Sequence, residues 1–155
     1  LTMIKKEIKS EIVIHSTPQI IWEHLTNFES YKEWNPFILS FAGNLKEQNK
    51  VKERIKPYNS SPMNFNPNII KVDNHKEIRW KGELFIKGLL DGEHYLKLID
   101  KGDTTLFIQG EIFTGIFVPF MKNMIETKTL KGFQLMNEQL KKRSEENSLS
   151  HPEPV

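Results

Sequence analysis

Residues 21–37 read Ile-Trp-Glu-His-Leu-Thr-Asn-Phe-Glu-Ser-Tyr-Lys-Glu-Trp-Asn-Pro-Phe. Just upstream, Ser16-Thr17-Pro18 has the form of a helix start: Thr17 can cap, and Pro18 fits a first turn whose missing N–H costs nothing. Ile20, Ile21, His24, Leu25 and Phe28 follow at helical spacing, which predicts a short amphipathic helix over Pro18 to Asn27. A second helical turn is expected over Glu29 to Glu33. It ends near Trp34-Asn35-Pro36, because a proline pushes the residue before it out of the helical region.

Outward from this stretch the period changes. On the amino-terminal side, Glu7 to His15 alternates, with Ile8, Ser10, Ile12 and Ile14 sharing a face, as in a half-buried strand. On the other side, from Phe37 to Phe113, the period is two. Strands are expected at Ile38–Leu45, Val51–Pro57, Phe65–Val72, Glu77–Phe85, Glu93–Ile99 and Thr104–Phe113. The polar breaks between them are short enough for antiparallel hairpins, whereas parallel strands need crossovers of a dozen or more residues. With the first strand this makes a sheet of about seven. A long helix is then expected from Pro119 to Arg143, with Phe120, Met121, Met124, Ile125, Phe133, Met136 and Leu140 along one broad side. Residues 1–143 read as one domain, and 144–155, polar and ending Pro-Glu-Pro-Val, as a frayed tail.

Composition narrows the classes. The 155 residues are 37% hydrophobic and 27% charged, ordinary for one globular domain with a sizeable core. There is no cysteine, which excludes a disulfide framework, a thiolate metal site and a cysteine nucleophile. A formal charge of +2 is too balanced to make nucleic acid the partner, and the basic residues are dispersed: Lys52, Arg54 and Lys56 share one strand face that reads as solvated outer surface. No apolar run approaches a membrane span and no signal-peptide core is seen, so the expectation is a cytoplasmic protein. His15, His24, His75, His94 and His151 have no zinc-ligand spacing, and the phosphate-loop, dinucleotide and Gly-x-Ser-x-Gly patterns are missing. No metal and no other cofactor is expected.

Helix pair, meander, long terminal helix: the order resembles the START-like helix-grip superfamily, and within it the bacterial polyketide cyclase/dehydrase-type branch (SRPBCC proteins). The residues that carry the resemblance are the 21–37 stretch with its Trp34-Asn35-Pro36-Phe37 turn, Gly92-Glu93-His94, Gly102-Asp103-Thr104-Thr105, the run Gly110 to Gly115, and Gly132-Phe133 with Met136-Asn137 and Leu140-Lys141. The resemblance covers about residues 5 to 143. It implies an α+β fold in which a curved antiparallel sheet wraps the carboxy-terminal helix and leaves a cavity between them. Where many relatives carry a His, this chain has Gln109, which removes a titratable group.

Strand alternation proposes what faces that cavity. His94, Leu96 and Leu98 share a face, opposite Lys97, and Ile78, Trp80 and Leu84 share another, opposite Arg79, Lys81 and Glu83. In the last strand periodicity alone favours Leu106, Ile108 and Ile112 as the inner face. The resemblance favours Phe107, Gln109, Glu111 and Phe113 instead. The expected ligand-contacting set is therefore Trp22, Trp34, Phe37, Trp80, His94, Leu96, Phe107, Gln109, Glu111, Phe113, Phe120, Met124, Gly132 and Met136. Apolar walls with a few polar groups suit a hydrophobic or amphipathic, lipid-like small molecule. If the protein is instead a cyclase- or dehydratase-like enzyme, Glu111 and His94 are the catalytic pair, moving a proton beside a carbonyl. A third reading is an interaction module whose cavity is filled by its own side chains. Oligomeric state is not legible.

Overall fold

The computed structural model describes residues 4–84 and 86–150. Strand β1 (Lys5–Ile14) leads into helix α1 (Pro18–Thr26), a 3-10 turn (Phe28–Ser30) and helix α2 (Tyr31–Trp34). Thr17 caps α1 as expected, its hydroxyl accepting from the N–H of Ile20 at 3.3 Å. The Trp-Asn-Pro-Phe turn is held by Asn35, whose Oδ1 accepts from the N–H groups of Phe37 (3.0 Å) and Ile38 (2.8 Å). A side chain that bonds the backbone just ahead of it replaces the helical ladder and turns the chain toward the sheet.

Seven further strands follow: β2 (Ile38–Ala42), β3 (Lys52–Ile55), β4 (Met63–Phe65), β5 (Asn68–Asp73), β6 (Glu77–Leu84), β7 (Leu90–Asp100) and β8 (Thr105–Thr114). They do not form one sheet of about seven. The larger sheet has five strands in the order β1-β8-β7-β6-β5, and β2-β3-β4 form a separate sheet of three. All pairs are antiparallel. The cause of the division lies in the segment expected to be a single strand, Phe65–Val72. Pro67 has no N–H to give to a ladder, and it separates β4 in one sheet from β5 in the other. Its carbonyl instead accepts from Val51 at 2.9 Å, stitching the two sheets at that corner. The expected end of β6, Phe85, lies outside the described residues.

The long terminal helix also departs from a single regular rod. It opens with a 3-10 turn, Val118–Met121, containing Pro119, passes through a π-helical segment, Met124–Thr129, and becomes the α-helix α3 over Leu130–Ser150. Thr127 and Thr129 are β-branched and helix-averse, and the Thr127 hydroxyl bonds back to the Asn123 carbonyl. Helix α3 lies against β1, β8 and α1. Phe107, Phe133, Ile14, Ile21 and Leu25 are fully buried in the core it helps to form. The helix does not stop at Arg143. Ser144 is fully buried, and Glu145 accepts from the His15 N–H at 3.0 Å while pairing with Lys141. The expected tail from Ser144 is thus helix as far as Ser150, and residues 151–155, with His151, lie outside the described residues.

Candidate functional site

Register brings the site together. On the concave face of the larger sheet, Ile8, Glu111, His94, Trp80 and Ile69 occupy one row across five strands, each opposite the next. The neighbouring row contains Ser10, Gln109 and Leu96. In β8 the polar-bearing face is the inner one. Phe107 and Gln109 are fully buried, while Leu106, Ile108 and Ile112 are only partly covered. Periodicity alone would have turned this strand over, and a slip of one residue would send every side chain to the other face. The outer face is held by charge: Glu77 lies among Lys71, Arg79 and Lys97, and Tyr95 donates to Glu7 at 2.7 Å beneath Arg79 and Lys97.

His94 is the hub. Its Nδ1 stands 3.4 Å from Glu111 Oε1 and its Nε2 2.9 Å from Gln109 Oε1. Gln109 donates its amide to Asn137 Oδ1 at 2.8 Å, and Asn137 donates to Ser10 Oγ at 3.0 Å, so the chain of bonds fixes the Gln109 oxygen on the imidazole. That nitrogen therefore carries a hydrogen. Burial pushes the His94 pKa down, but Glu111, Glu53 and the Gln109 bond together outweigh it and hold it above the usual value. The ring is stacked on Trp80 at 4.7 Å and 13°, and Phe37 and Phe133 pack around it.

Opposite this row, the three-stranded sheet contributes Glu53. It is 7% exposed, and its Oε2 has no hydrogen-bond partner. Burial and the Glu111 charge push its carboxyl up to about 7, against the opposing pull of His94 and a hydrogen bond from Trp80. This residue was not among the expected ones. A signal existed, because Lys52, Arg54 and Lys56 outward require Val51, Glu53 and Ile55 inward. A carboxylate set among basic residues reads as surface, and only the packing of the second sheet over the first shows otherwise.

Glu53, His94 and Glu111 form the floor of a chamber of about 70 Å³, walled by Ile55, Met63, Phe65, Trp80, Leu90, Phe113 and Met124. Gly92 leaves room for the floor, since a Cβ there would collide with the Glu111 carboxylate. Among the expected contacts, Trp80, His94, Glu111, Phe113 and Met124 line the chamber. Gln109 and Phe37 lie behind His94, and Leu96, Phe107 and Met136 are core. Trp34 packs on Tyr31 and donates to Ser30, and Trp22 is buried with its edge to His75. Neither stands at an entrance. Phe120 is 83% exposed and points away. Gly132 serves close approach, not ligand space, because a Cβ there would sit 2.5 Å from the Phe37 ring.

The sequence profile of the polyketide cyclase / dehydrase and lipid transport family matches residues 5–145. The chain belongs to that family. No curated protein matches it in sequence. Among solved structures, a norcoclaurine synthase point mutant from Thalictrum flavum superposes with a TM-score of 0.74 at 13% identity, covering 96% of this chain and 99% of that one. The di-domain ARO/CYC protein StfQ of the steffimycin biosynthetic pathway gives 0.70 at 11% identity, over 93% of this chain and 52% of that one. A Staphylococcus aureus protein of unknown function gives 0.68 at 12%, over 96% and 98%. At these identities the likeness is one of fold, the helix-grip arrangement, and the family affiliation carries the expectation of a small-molecule ligand. Among the described residues no helix is long and apolar enough to cross a membrane.

Proposed function

We propose that this family member binds a small, largely apolar molecule between its two sheets, with the Glu53, His94 and Glu111 floor orienting the ligand's polar end. The observation that carries the reading is the chamber itself: apolar walls converging on the buried Glu53 and His94 and the partly buried Glu111. Sparse polar groups in an apolar cleft are the composition of ligand pockets. The free volume of about 70 Å³ is small beside the roughly 300–1,000 Å³ of drug-sized ligand sites, so a ligand enters by displacing wall side chains. The candidates to move are Met63 and Phe65 on the three-residue strand β4 and Met124 on the π-helical segment, all only partly buried. Thioether walls adapt to such entry.

The test is uptake of the neutral fluorescent probe N-phenyl-1-naphthylamine, with native mass spectrometry of gently purified protein beside it. Met124→Trp fills the chamber and is expected to weaken the probe by at least roughly tenfold. A chain that purifies empty, takes up no probe and is indifferent to Met124→Trp would overturn the reading in favour of a self-filled core.

A second reading, an acid–base enzyme of cyclase or dehydratase type, draws support from the Glu53 carboxyl, held near neutrality in the chamber wall. A norcoclaurine synthase and an ARO/CYC protein are among the fold neighbours. In this reading Glu53 is better placed than His94 to move a proton, because both imidazole nitrogens are engaged while Glu53 Oε2 is free. Glu53→Gln would then lower turnover by about 10²-fold or more.

A further inference from the structure

We infer that the chamber selects a cation, an organic ammonium on an apolar or aromatic body, with Glu53 as its charge partner. The inference rests on the binding reading above and adds the ligand's charge class to it.

The charged groups that line the chamber are mostly acidic. Its ionisable side chains are Glu53, Glu83, His94 and Glu111, and no Lys or Arg is among the described residues that line it. His94 has no N–H to spare, since one nitrogen faces Glu111 and the other Gln109. Its charge is matched by Glu111. Glu53 has no such match. Its Oε2 is buried and without a partner, and Glu53 is among the residues that line the space a ligand would fill. Once Glu53 ionises, its charge has no counterpart beyond the His94–Glu111 contact, and either a proton on Glu53 or a cationic ligand balances it.

An anionic headgroup fits badly, because it would meet carboxylates with no free donor to receive it. A neutral hydroxyl would satisfy the orphan oxygen and leave the charge unbalanced. An ammonium does both, since it carries N–H donors and a positive charge, and charge-assisted bonds are the stronger kind. The walls suit it as well: the rings of Phe65 and Phe113 and the sulfurs of Met63 and Met124 are polarisable, and aromatic faces attract cations. A bare metal ion is a poorer occupant, because no group of three or more His, Cys, Asp or Glu side chains among the described residues converges as metal ligands do.

Three probes of one skeleton test this by calorimetry on the full chain at pH 8: 2-phenylethylamine, 2-phenylethanol and 3-phenylpropionate. The amine is expected to bind at least roughly tenfold tighter than the alcohol, and the carboxylate weakest. Glu53→Gln should abolish the preference, bringing the amine down to the level of the alcohol measured on the same variant. A measurement on the unaltered chain guards against a misfolded variant. Benzyltrimethylammonium, whose charge is fixed, should bind roughly tenfold tighter at pH 8 than at pH 6 as Glu53 ionises. An alcohol or carboxylate that equals the amine, or a flat profile for the fixed cation, overturns the charge selection and leaves the binding reading standing. An amine that fails to bind where N-phenyl-1-naphthylamine binds does the same. If neither the panel nor the neutral probe binds, both readings fall together.

Discussion

Nδ1 of His94 lies 3.4 Å from Oε1 of Glu111, directly across the β7–β8 register, and this contact favours the charged imidazole. Burial alone would keep the imidazole neutral. Glu111, with Glu53 and Gln109, reverses that preference. A pKa raised in the fold means stabilisation that is full below the ordinary histidine value of about 6.5 and is lost as pH rises through the folded value. The His94 ring resonances are therefore expected to titrate above the ordinary value by NMR, and to drop below it in Glu111→Gln. A His94 that titrates low in the unaltered chain would remove the ion pair from the site.

Gln109→Leu should show what holds the ring. It strips the partner from His94 Nε2 and from Asn137 Oδ1 in a fully buried place. Unsatisfied buried polar groups cost about 1–3 kcal/mol each, so a loss of about 2–4 kcal/mol in urea denaturation is expected. A neutral outcome would mean that the bond is not formed in solution.

Glu53 has the opposite effect from a surface carboxylate on the pH dependence of stability. Its carboxyl is pushed up to about 7, so the fold prefers it protonated. The associated stability is full below the unfolded value and is lost as pH rises through about 7. Between pH 5 and pH 8, Glu53→Gln should gain about 2–3 kcal/mol on the unaltered chain. Parallel stability profiles across that range would show that the carboxyl is not buried as described.

Glu145 tests the far end of α3. Burial raises its pKa, but the bonds from Lys141 and the His15 N–H win and depress it. Here the stability is present above the ordinary glutamate value and is lost as pH falls through the folded one. Glu145→Ala should cost about 1 kcal/mol at neutral pH, and deletion of everything from Ser144 onward should cost more. A chain ending at Arg143 with undiminished melting temperature would restore the shorter helix.

Gly132→Ala separates close packing from ligand space. Alanine is favoured in a helix by about 1 kcal/mol over glycine, but the new methyl would press on the fully buried Phe37 ring. Overpacking costs about 1–3 kcal/mol. A net loss near 1 kcal/mol is expected, with probe binding unchanged. Phe120→Ser, on an 83% exposed side chain, should alter neither stability nor binding.

Signals carried by near neighbours in the chain were legible from the sequence. Thr17 capping α1, the Asn35 turn and the inward set Ile78, Trp80, His94 and Leu96 follow from spacing and side-chain chemistry a few residues apart. So does the order of elements that resembles the helix-grip fold. The face chosen by β8 needed the family resemblance, because alternation alone ranks the wholly apolar Leu106, Ile108 and Ile112 face first.

What only the tertiary structure decided is non-local. Pro67 announces a break, but not that the strands on either side join different sheets. The π-helical turn at Met124–Thr129 widens the helix where the chamber needs a wall, and no periodicity of 3.6 foretells it. Glu53 stands opposite Lys52 and Arg54 in its own strand. Its raised pKa arises from burial and from the Glu111 charge on β8, far away in sequence, against the pull of His94 on β7 and Trp80 on β6. Desolvation and charge act through space, so the sequence alone determined which faces could turn inward, and the folded chain alone determined what those faces meet.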